Sequence, residues 1–202
     1  MPVLPAESIK REVVRKSIHA SGIIVVILVN INYFLTFFAL VTVTLLYIIS
    51  EALRLKQIKL PIFHNLIRFA ARGDVTKQVA GGPLTLSLGI LLTLALFPYQ
   101  IASFAIIALT LGDGVAALIG RIYGRVRPYF LLGKSIEGSL ACFGVVFTAS
   151  FMLAHYYQLA GSLVLALGIA LTATMVEVLP LKTYDNLAIP IFVACFVTLT
   201  LA

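Results

Sequence analysis

The sequence predicts an all-α, polytopic integral membrane bundle of about seven transmembrane helices with one interfacial amphipathic helix. Three observations predict it. The 202 residues are 61% hydrophobic and 11% charged, against about 25% charged in an ordinary soluble domain. The mean hydropathy is +1.08. The apolar stretches are also interrupted by breaks of alternating character. Those near Lys10–Lys16, Arg54–Lys77, Arg121–Lys134 and Lys182 hold all 15 Lys and Arg, whereas Asn30–Asn32, Phe97–Gln100 and His155–Gly161 hold no charged side chain. Lys and Arg flanking membrane segments stay in the cytoplasm, so the alternation predicts a cytoplasmic charged face as well.

Each span follows from the roughly 20 apolar residues that a membrane crossing requires. The candidates are about 14–31, 33–53, 79–97, 100–120, 138–157, 161–179 and 185–202, within one domain covering 1–202. The first has a short uncharged part, Ser17–Ile31, and crosses if Arg15 and Lys16 snorkel to the headgroups. If it did not cross, the basic clusters at 10–16 and 54–77 would fall on opposite sides. No A-x-A cleavage pattern follows the basic N-terminal run, so it is expected to be an anchor and not a signal peptide. Between the second and third spans, Leu60–Arg72 places apolar residues on one face and His64, Arg68 and Arg72 on the other, as an interfacial helix does. Tyr99, Tyr156 and Tyr157 mark one aromatic belt, and Tyr123, Tyr129 and Tyr184 the other. Cys142 and Cys195 lie inside apolar spans, where Cys acts as a small hydrophobe. The net charge of +7 is accounted for by orientation and by anionic headgroups or phosphates, without nucleic acid.

The acids point to chemistry. Of the eight Asp and Glu, Glu51, Asp113, Glu137, Glu177 and Asp185 fall at or just inside the charged ends of five spans. An Asp within the membrane costs roughly 2.5–3.5 kcal/mol on insertion scales, so each needs a base, a metal or a watery cleft. Together they predict one polar pocket at the membrane surface, although Glu51 also reads as a plain helix-end charge. Gly112, Ala116, Gly120 and Gly124 recur every four residues, and small residues at that spacing let helices approach closely. Asp113 beside this face is suited to a hard cation such as Mg²⁺. Arg121, Arg125, Arg127 and Lys134 follow, with Gly133-Lys134-Ser135-Ile136-Glu137-Gly138. Pro128 stands where a Walker loop needs Gly, and no strand precedes it, so that motif is rejected. Lys134 and Ser135 remain candidates for phosphate at a helix N-terminus, while Ser135 also reads as an N-cap. Glu12, Arg15 or Lys16, and His19 share a helical face. Asp185 reads either as a helix cap or as a second metal carboxylate.

Taken together, Glu12-x-x-Arg15-Lys16-x-x-His19, Gly112-Asp113-x-x-Ala116-x-x-x-Gly120-x-x-x-Gly124, Gly133-Lys134-Ser135-x-Glu137-Gly138, and Glu177 with Asp185-Asn186 and Pro190 resemble the CTP-dependent lipid kinase family. That family includes dolichol kinase, phytol kinase and the CTP-using diacylglycerol kinase, and it is related to the phosphatidate cytidylyltransferases. The resemblance runs from residue 11 to about 190. It implies Mg²⁺-assisted transfer of the γ-phosphate of CTP to the hydroxyl of a long-chain isoprenoid alcohol, of polyprenol, dolichol or phytol type, drawn from the bilayer. Asp113, Lys134, Glu137 and Asp185 would be catalytic. Asp113 and Asp185 would hold the metal, with Glu177 a third candidate, and Glu137 would orient or deprotonate the hydroxyl. Arg15, Lys16, His19, Gly112, Arg125, Arg127, Gly133, Ser135 and Asn186 would line the nucleotide and phosphate site. The central Gly-Asp lacks the Ser and Lys-Arg pair of the cytidylyltransferases, which favours phosphate transfer over CDP-lipid synthesis. A small transporter is a further alternative, but no inverted repeat of the transporter kind is visible. The lipid alcohol, the nucleotide and the oligomeric state are left open.

Overall fold

The computed structural model describes residues 15–56, 58, 81–181 and 183–202, and among these every regular element is helical. The expected amphipathic helix over 60–72 lies outside the described residues, as does Glu12. A helical segment over 15–20 turns at 21–22 into α1 (Ile23–Ile31). Then come α2 (Tyr33–Leu55), α3 (Gly81–Leu96) and α4 (Tyr99–Ile107). A π-helical stretch, Ala108–Asp113, joins α4 to α5 (Gly114–Ile122). After a short 3₁₀ turn at Tyr129–Leu131 come α6 (Ile136–Tyr156), α7 (Ser162–Val178) and α8 (Asp185–Leu201). From the second stretch onward, the helix ends fall within two residues of the apolar stretches read from the sequence. Among the described residues, three helices are long and apolar enough to cross a membrane: Tyr33–Leu55, the continuous Tyr99–Ile122, and Ile136–Tyr156. The first stretch differs from the uninterrupted helix expected over 14–31. It breaks at Gly22, whose backbone lies so close to Thr110 that an added Cβ would sit 2.6 Å from its Cγ2.

The helices start and stop for local reasons. Asn32, with extended backbone, accepts from the Leu35 N–H at 3.0 Å and caps α2. Ser135 accepts from the Gly138 N–H at 3.1 Å and caps α6. Each side-chain oxygen satisfies an amide that the first helical turn leaves without a partner. Gly161, at φ 66°, precedes α7 in a left-handed conformation that glycine adopts without strain.

The middle of the bundle is the 99–122 helix. Its most apolar window is 72% buried, against 22% for α2 and α6, and residues 102–110 are all buried. Phe104, Ile106 and Leu109 pack there against Leu94, Val146, Ile169, Ile189, Val193 and Val197 of the surrounding helices. The opposite sides of the outer helices carry exposed Phe34, Phe38, Val164 and Leu199. Apolar surface of this extent faces lipid in a membrane bundle.

The two ends of the bundle differ. At one end Tyr157 donates to Asn30 Oδ1 at 2.9 Å and lies 3.3 Å from Ser103 Oγ, while Tyr33 donates to the Leu94 carbonyl at 2.8 Å. At the other, Lys16 reaches Asp113, and Lys134 reaches Glu177. Ser103 and Asp113 sit on one helix, about 15 Å apart along its axis at the α-helical rise. The first stretch therefore runs from the charged end, at Lys16, to the uncharged end, at Asn30.

One contact fixes where α8 begins. Pro190 lies inside α8 and has no N–H to donate to the carbonyl of Asn186, four residues back. That carbonyl faces Gly89 of α3 so closely that a Cβ there would lie 2.0 Å from its oxygen. The Asn186 side chain donates to Thr85 Oγ1 at 2.9 Å and to the Gly82 carbonyl at 3.3 Å. Gly89→Ala must push α3 and α8 apart, and overpacking of this kind costs about 1–3 kcal/mol. The expected result is a lower thermal midpoint in nanodiscs, read against a Leu88→Ala control on the lipid-facing side. A second expectation concerns the α5–α6 loop, where Tyr129 is 96% and Phe130 72% exposed between Arg127 and Lys134. The chain contains no Trp, so Phe130→Trp reports a single environment. Its emission should be quenched by headgroup-proximal brominated lipid and shielded from iodide; iodide quenching with a water-like maximum would place the loop outside the interface.

Candidate active site

Among the described residues, two cavities lie at the charged end, and the 99–122 helix lines both, with Asp113 in one and Ala116, Ala117 and Gly120 in the other. The smaller, of about 50 Å³, is lined by Arg15, Lys16, His19, Asp113, Asp185 and Asn186, with Ile18, Gly82, Pro83 and Leu86 at its apolar side. The larger, of about 330 Å³, is lined by Arg121, Arg127, Lys134, Ser135 and Glu177, with a floor of small residues including Ala116, Ala117, Gly120 and Gly138.

Asp113 closes the π-helical stretch. A π turn inserts an extra residue into the helical register and is frequent at functional sites. The buried Asp113 accepts from Lys16 Nζ at 2.5 Å, and Lys16 also donates to the Asp113 main-chain carbonyl at 3.2 Å. His19 Nε2 lies 3.1 Å from the Leu109 carbonyl, a contact that requires the Nε2–H tautomer, and 3.4 Å from Asp113 Oδ2. Lys16 and His19, three residues apart on one helical segment, thus grip the π turn from the same side. Asp185 opens α8 on the wall of the same cavity, and its Oδ1 is buried without a hydrogen-bond partner. Lys134 lies within electrostatic reach of both Asp113 and Asp185.

The larger cavity is built by small residues. A Cβ on Gly120 would approach Ser135 Oγ to 3.0 Å, and one on Gly124 would lie 2.1 Å from the Gly120 carbonyl. A Cβ on Gly138 would lie 2.9 Å from the Ala116 carbonyl. The α5 face thus meets the start of α6 backbone to backbone, as small-residue spacing permits. Lys134 crosses this space to pair with Glu177 at the end of α7. Arg127 donates to the carbonyls of Gly120 and Gly133, both at 2.8 Å, closing the loop on itself.

Several residues lie elsewhere than the sequence suggests. The acids do not gather in one pocket. Asp113 and Asp185 share the smaller cavity, Glu177 faces the larger, and Glu51 is tied to Arg54 of its own helix at 2.7 Å. Glu137, expected at the acceptor hydroxyl, lines neither cavity. Its Oε1 accepts from the N–H of Arg125 at 2.9 Å and of Val126 at 3.2 Å, so it holds the loop. Arg125 also lines neither cavity. Gly112, expected near phosphate, instead packs on Val146 and Cys142. Gly133 is a turn glycine at φ 93°. Ser135 is both the α6 cap and part of the larger cavity wall. Arg15 and Asn186 do line the smaller cavity, and Asn186 also ties α8 to α3. The residues that sequence reasoning missed are Thr85 and Gly89, which seat Asn186. No charge or motif marks either.

No cluster of three or more His, Cys, Asp or Glu side chains exists among the described residues. A full protein cage for a cation is therefore absent there. Mg²⁺, however, is commonly held by one or two carboxylates plus substrate phosphates. The unpartnered Asp185 oxygen beside Asp113 fits that mode.

Comparisons with known proteins agree with the motifs. The chain is 31% identical over 137 residues to a probable phytol kinase 2, chloroplastic, of Oryza sativa, a match covering 62% of this chain and 45% of that protein. It is 30% identical over 139 residues to phytol kinase 1, chloroplastic, of Arabidopsis thaliana, covering 62% and 45%. It is 29% identical over 160 residues to CTP-dependent diacylglycerol kinase 1 of Saccharomyces cerevisiae, covering 73% and 54%. The chain spans about half the length of the curated relatives it matches. No family model and no solved structure matches. The chain is thus similar, at modest identity, to phytol kinases and to a CTP-dependent diacylglycerol kinase.

The Lys16–Asp113 pair is open to a direct test. Removing one partner of a buried pair costs about 3–5 kcal/mol, because it strands the other charge, whereas replacing both with apolar groups is often neutral. Lys16→Met should lower the thermal midpoint sharply, and the Lys16→Met/Asp113→Leu double variant should recover most of it. Equal stability of the wild type and Lys16→Met would show that the pair holds nothing together.

Proposed function

We propose that this chain is a membrane-embedded lipid kinase that transfers the γ-phosphate of CTP to the hydroxyl of a long-chain isoprenoid alcohol, of phytol, polyprenol or dolichol type, at the cytoplasmic face. The observation that carries the reading is the meeting, at one end of the bundle, of groups from distant parts of the chain. Lys16 comes from the first helical segment, Asp113 from the π turn, Lys134 from the loop before α6, and Asp185 from the start of α8. CTP as donor rests on the name of the yeast relative, and a lipid alcohol as acceptor on the phytol and diacylglycerol kinases.

Phosphoryl transfer asks a protein mainly for positioning and for neutralisation of charge on the transferring group. Arg121, Arg127 and Lys134 make the larger cavity positive and draw the triphosphate from water. Lys134 is suited to the transferring phosphate because its ammonium lies between the two cavities' carboxylates. Asp113 and Asp185 would hold Mg²⁺, which when bound neutralises phosphate oxygens. Lys16 and His19 keep Asp113 in place and are positioning groups in this scheme, not direct phosphate ligands. Ile18, Pro83 and Leu86 give the smaller cavity an apolar side. The cytoplasmic placement rests on the Lys and Arg that, among the described residues, crowd this end and not the other.

Purified protein in nanodiscs, given Mg²⁺, phytol or a polyprenol, and CTP labelled at the γ-phosphate or in the cytidine, tests the reading. The γ label should enter lipid and the cytidine label should not. Cytidine label in lipid with release of pyrophosphate would identify a cytidylyltransferase instead. Asp113→Asn, assayed well below its lowered thermal midpoint, should lose at least ~100-fold in turnover, the scale of one preorganised electrostatic group. Wild-type turnover in that variant would remove Asp113 from the chemistry.

A further inference from the structure

Glu177 ends α7 with its side chain almost wholly enclosed; the residue is 2% exposed. One carboxylate oxygen accepts from Lys134, and the other, Oε2, is buried with no hydrogen-bond partner. An ionised carboxylate only accepts hydrogen bonds, and a buried acceptor left unmet is costly. The cavity beside it is the larger one, lined by Arg121, Arg127 and Lys134. Phosphate oxygens are drawn to those cations and repelled by Glu177. The cavity therefore has an anion side and, at Oε2, a place for a group that donates an O–H or N–H. Leu140, next in sequence to the cavity-lining Ser139, and Met175, two residues before Glu177, are both exposed.

We propose that Glu177 is the catalytic residue that receives the proton of the acceptor hydroxyl, so that alcohol and terminal phosphate meet in the larger cavity at Lys134. This rests on the kinase reading above and gives Glu177 a role other than holding metal. In the step, the alcohol O–H bond breaks and its proton passes to Oε2. The alcohol oxygen bonds the terminal phosphorus. The bond from that phosphorus to the bridging oxygen breaks, and the nucleoside diphosphate leaves with the electron pair. The other acids are placed differently. Glu137 Oε2 is also unpartnered, but Glu137 faces the loop backbone and neither cavity. Asp113 is engaged by Lys16. The Asp185 oxygen opens beside Asp113 in the smaller cavity, whereas Arg121 and Arg127 line the larger.

The test compares wild type, Glu177→Gln and Glu177→Asp in nanodiscs with γ-labelled CTP and phytol. Turnover is measured beside nucleotide binding by equilibrium dialysis. A positioned base contributes about 10²–10⁴-fold, so Glu177→Gln should lose turnover on that scale. Its nucleotide Kd should stay within about threefold, a split that loss of the Lys134 pair alone would not produce. Glu177→Asp should recover at least tenfold over Gln, since the carboxylate is restored at a shorter reach. Turnover of Glu177→Gln within threefold of wild type, or parallel loss of nucleotide binding, overturns the assignment while the kinase reading stands. Wild-type protein that phosphorylates no alcohol overturns both.

Discussion

A charge inside a membrane bundle must be met by another group, and Lys16 with Asp113 is where this chain meets that requirement most directly. The pair is separated by 97 residues in sequence and by 2.5 Å in space. It ties the first helical segment to the π turn of the central helix, with His19 as a second attachment at the Leu109 carbonyl. In a medium without water to solvate either partner, each fixes the other. The position of Asp113, and so of the smaller cavity, follows from the pair. The break at Gly22 follows as well, because the segment can lie against Thr110 only where no Cβ intervenes.

Backbone approach does for the other helices what ion pairing does for the first. Asn186 is seated on α3 by two side-chain hydrogen bonds, and its own carbonyl is turned to Gly89 where Pro190 offers no donor. Seating Asn186 seats Asp185 next to it. Further along the central helix, Gly120 and Gly138 bring α5 and α6 together, leaving the larger cavity between their ends and α7. Hydrogen bonds between helices in lipid contribute only about 0.6 kcal/mol on average. Specificity of placement here comes more from shape, where a single methyl group would not fit.

The sequence is legible where the physics is one-dimensional. Helix positions follow from apolar run length, and sidedness from where Lys and Arg fall, so both can be read along the linear chain. Asp113, Lys134 and Asp185 stand out because a charge flanked by apolar residues is costly. What is not legible depends on the third dimension. The π turn leaves no mark in hydropathy, since Ala108–Asp113 reads like the helix around it. Glu137 and Glu177 both sit at helix ends beside basic residues, and only the fold shows that one faces loop amides while the other faces a cavity. As a row of acids at one depth they suggest one bowl, whereas Asp113 and Asp185 line one cavity and Glu177 another.

That division bears on how the chemistry can work. Opposite demands meet at phosphoryl transfer: cations must gather the triphosphate, while an acceptor group must hold a neutral hydroxyl close to it. Placed together without structure, carboxylates and ammonium groups would simply neutralise one another. Here Asp113 is committed to Lys16 at the smaller cavity, and Arg127 is committed to backbone carbonyls at the larger. These commitments leave Asp185 Oδ1 and Glu177 Oε2 as buried oxygens without partners, one at each cavity. Lys134 lies within electrostatic reach of both carboxylates of the smaller cavity while it contacts Glu177 in the larger. A lysine held between two incompletely satisfied acids is poised to exchange one of them for a phosphate oxygen, because the carboxylate it leaves can take up the hydroxyl that the same phosphate will receive.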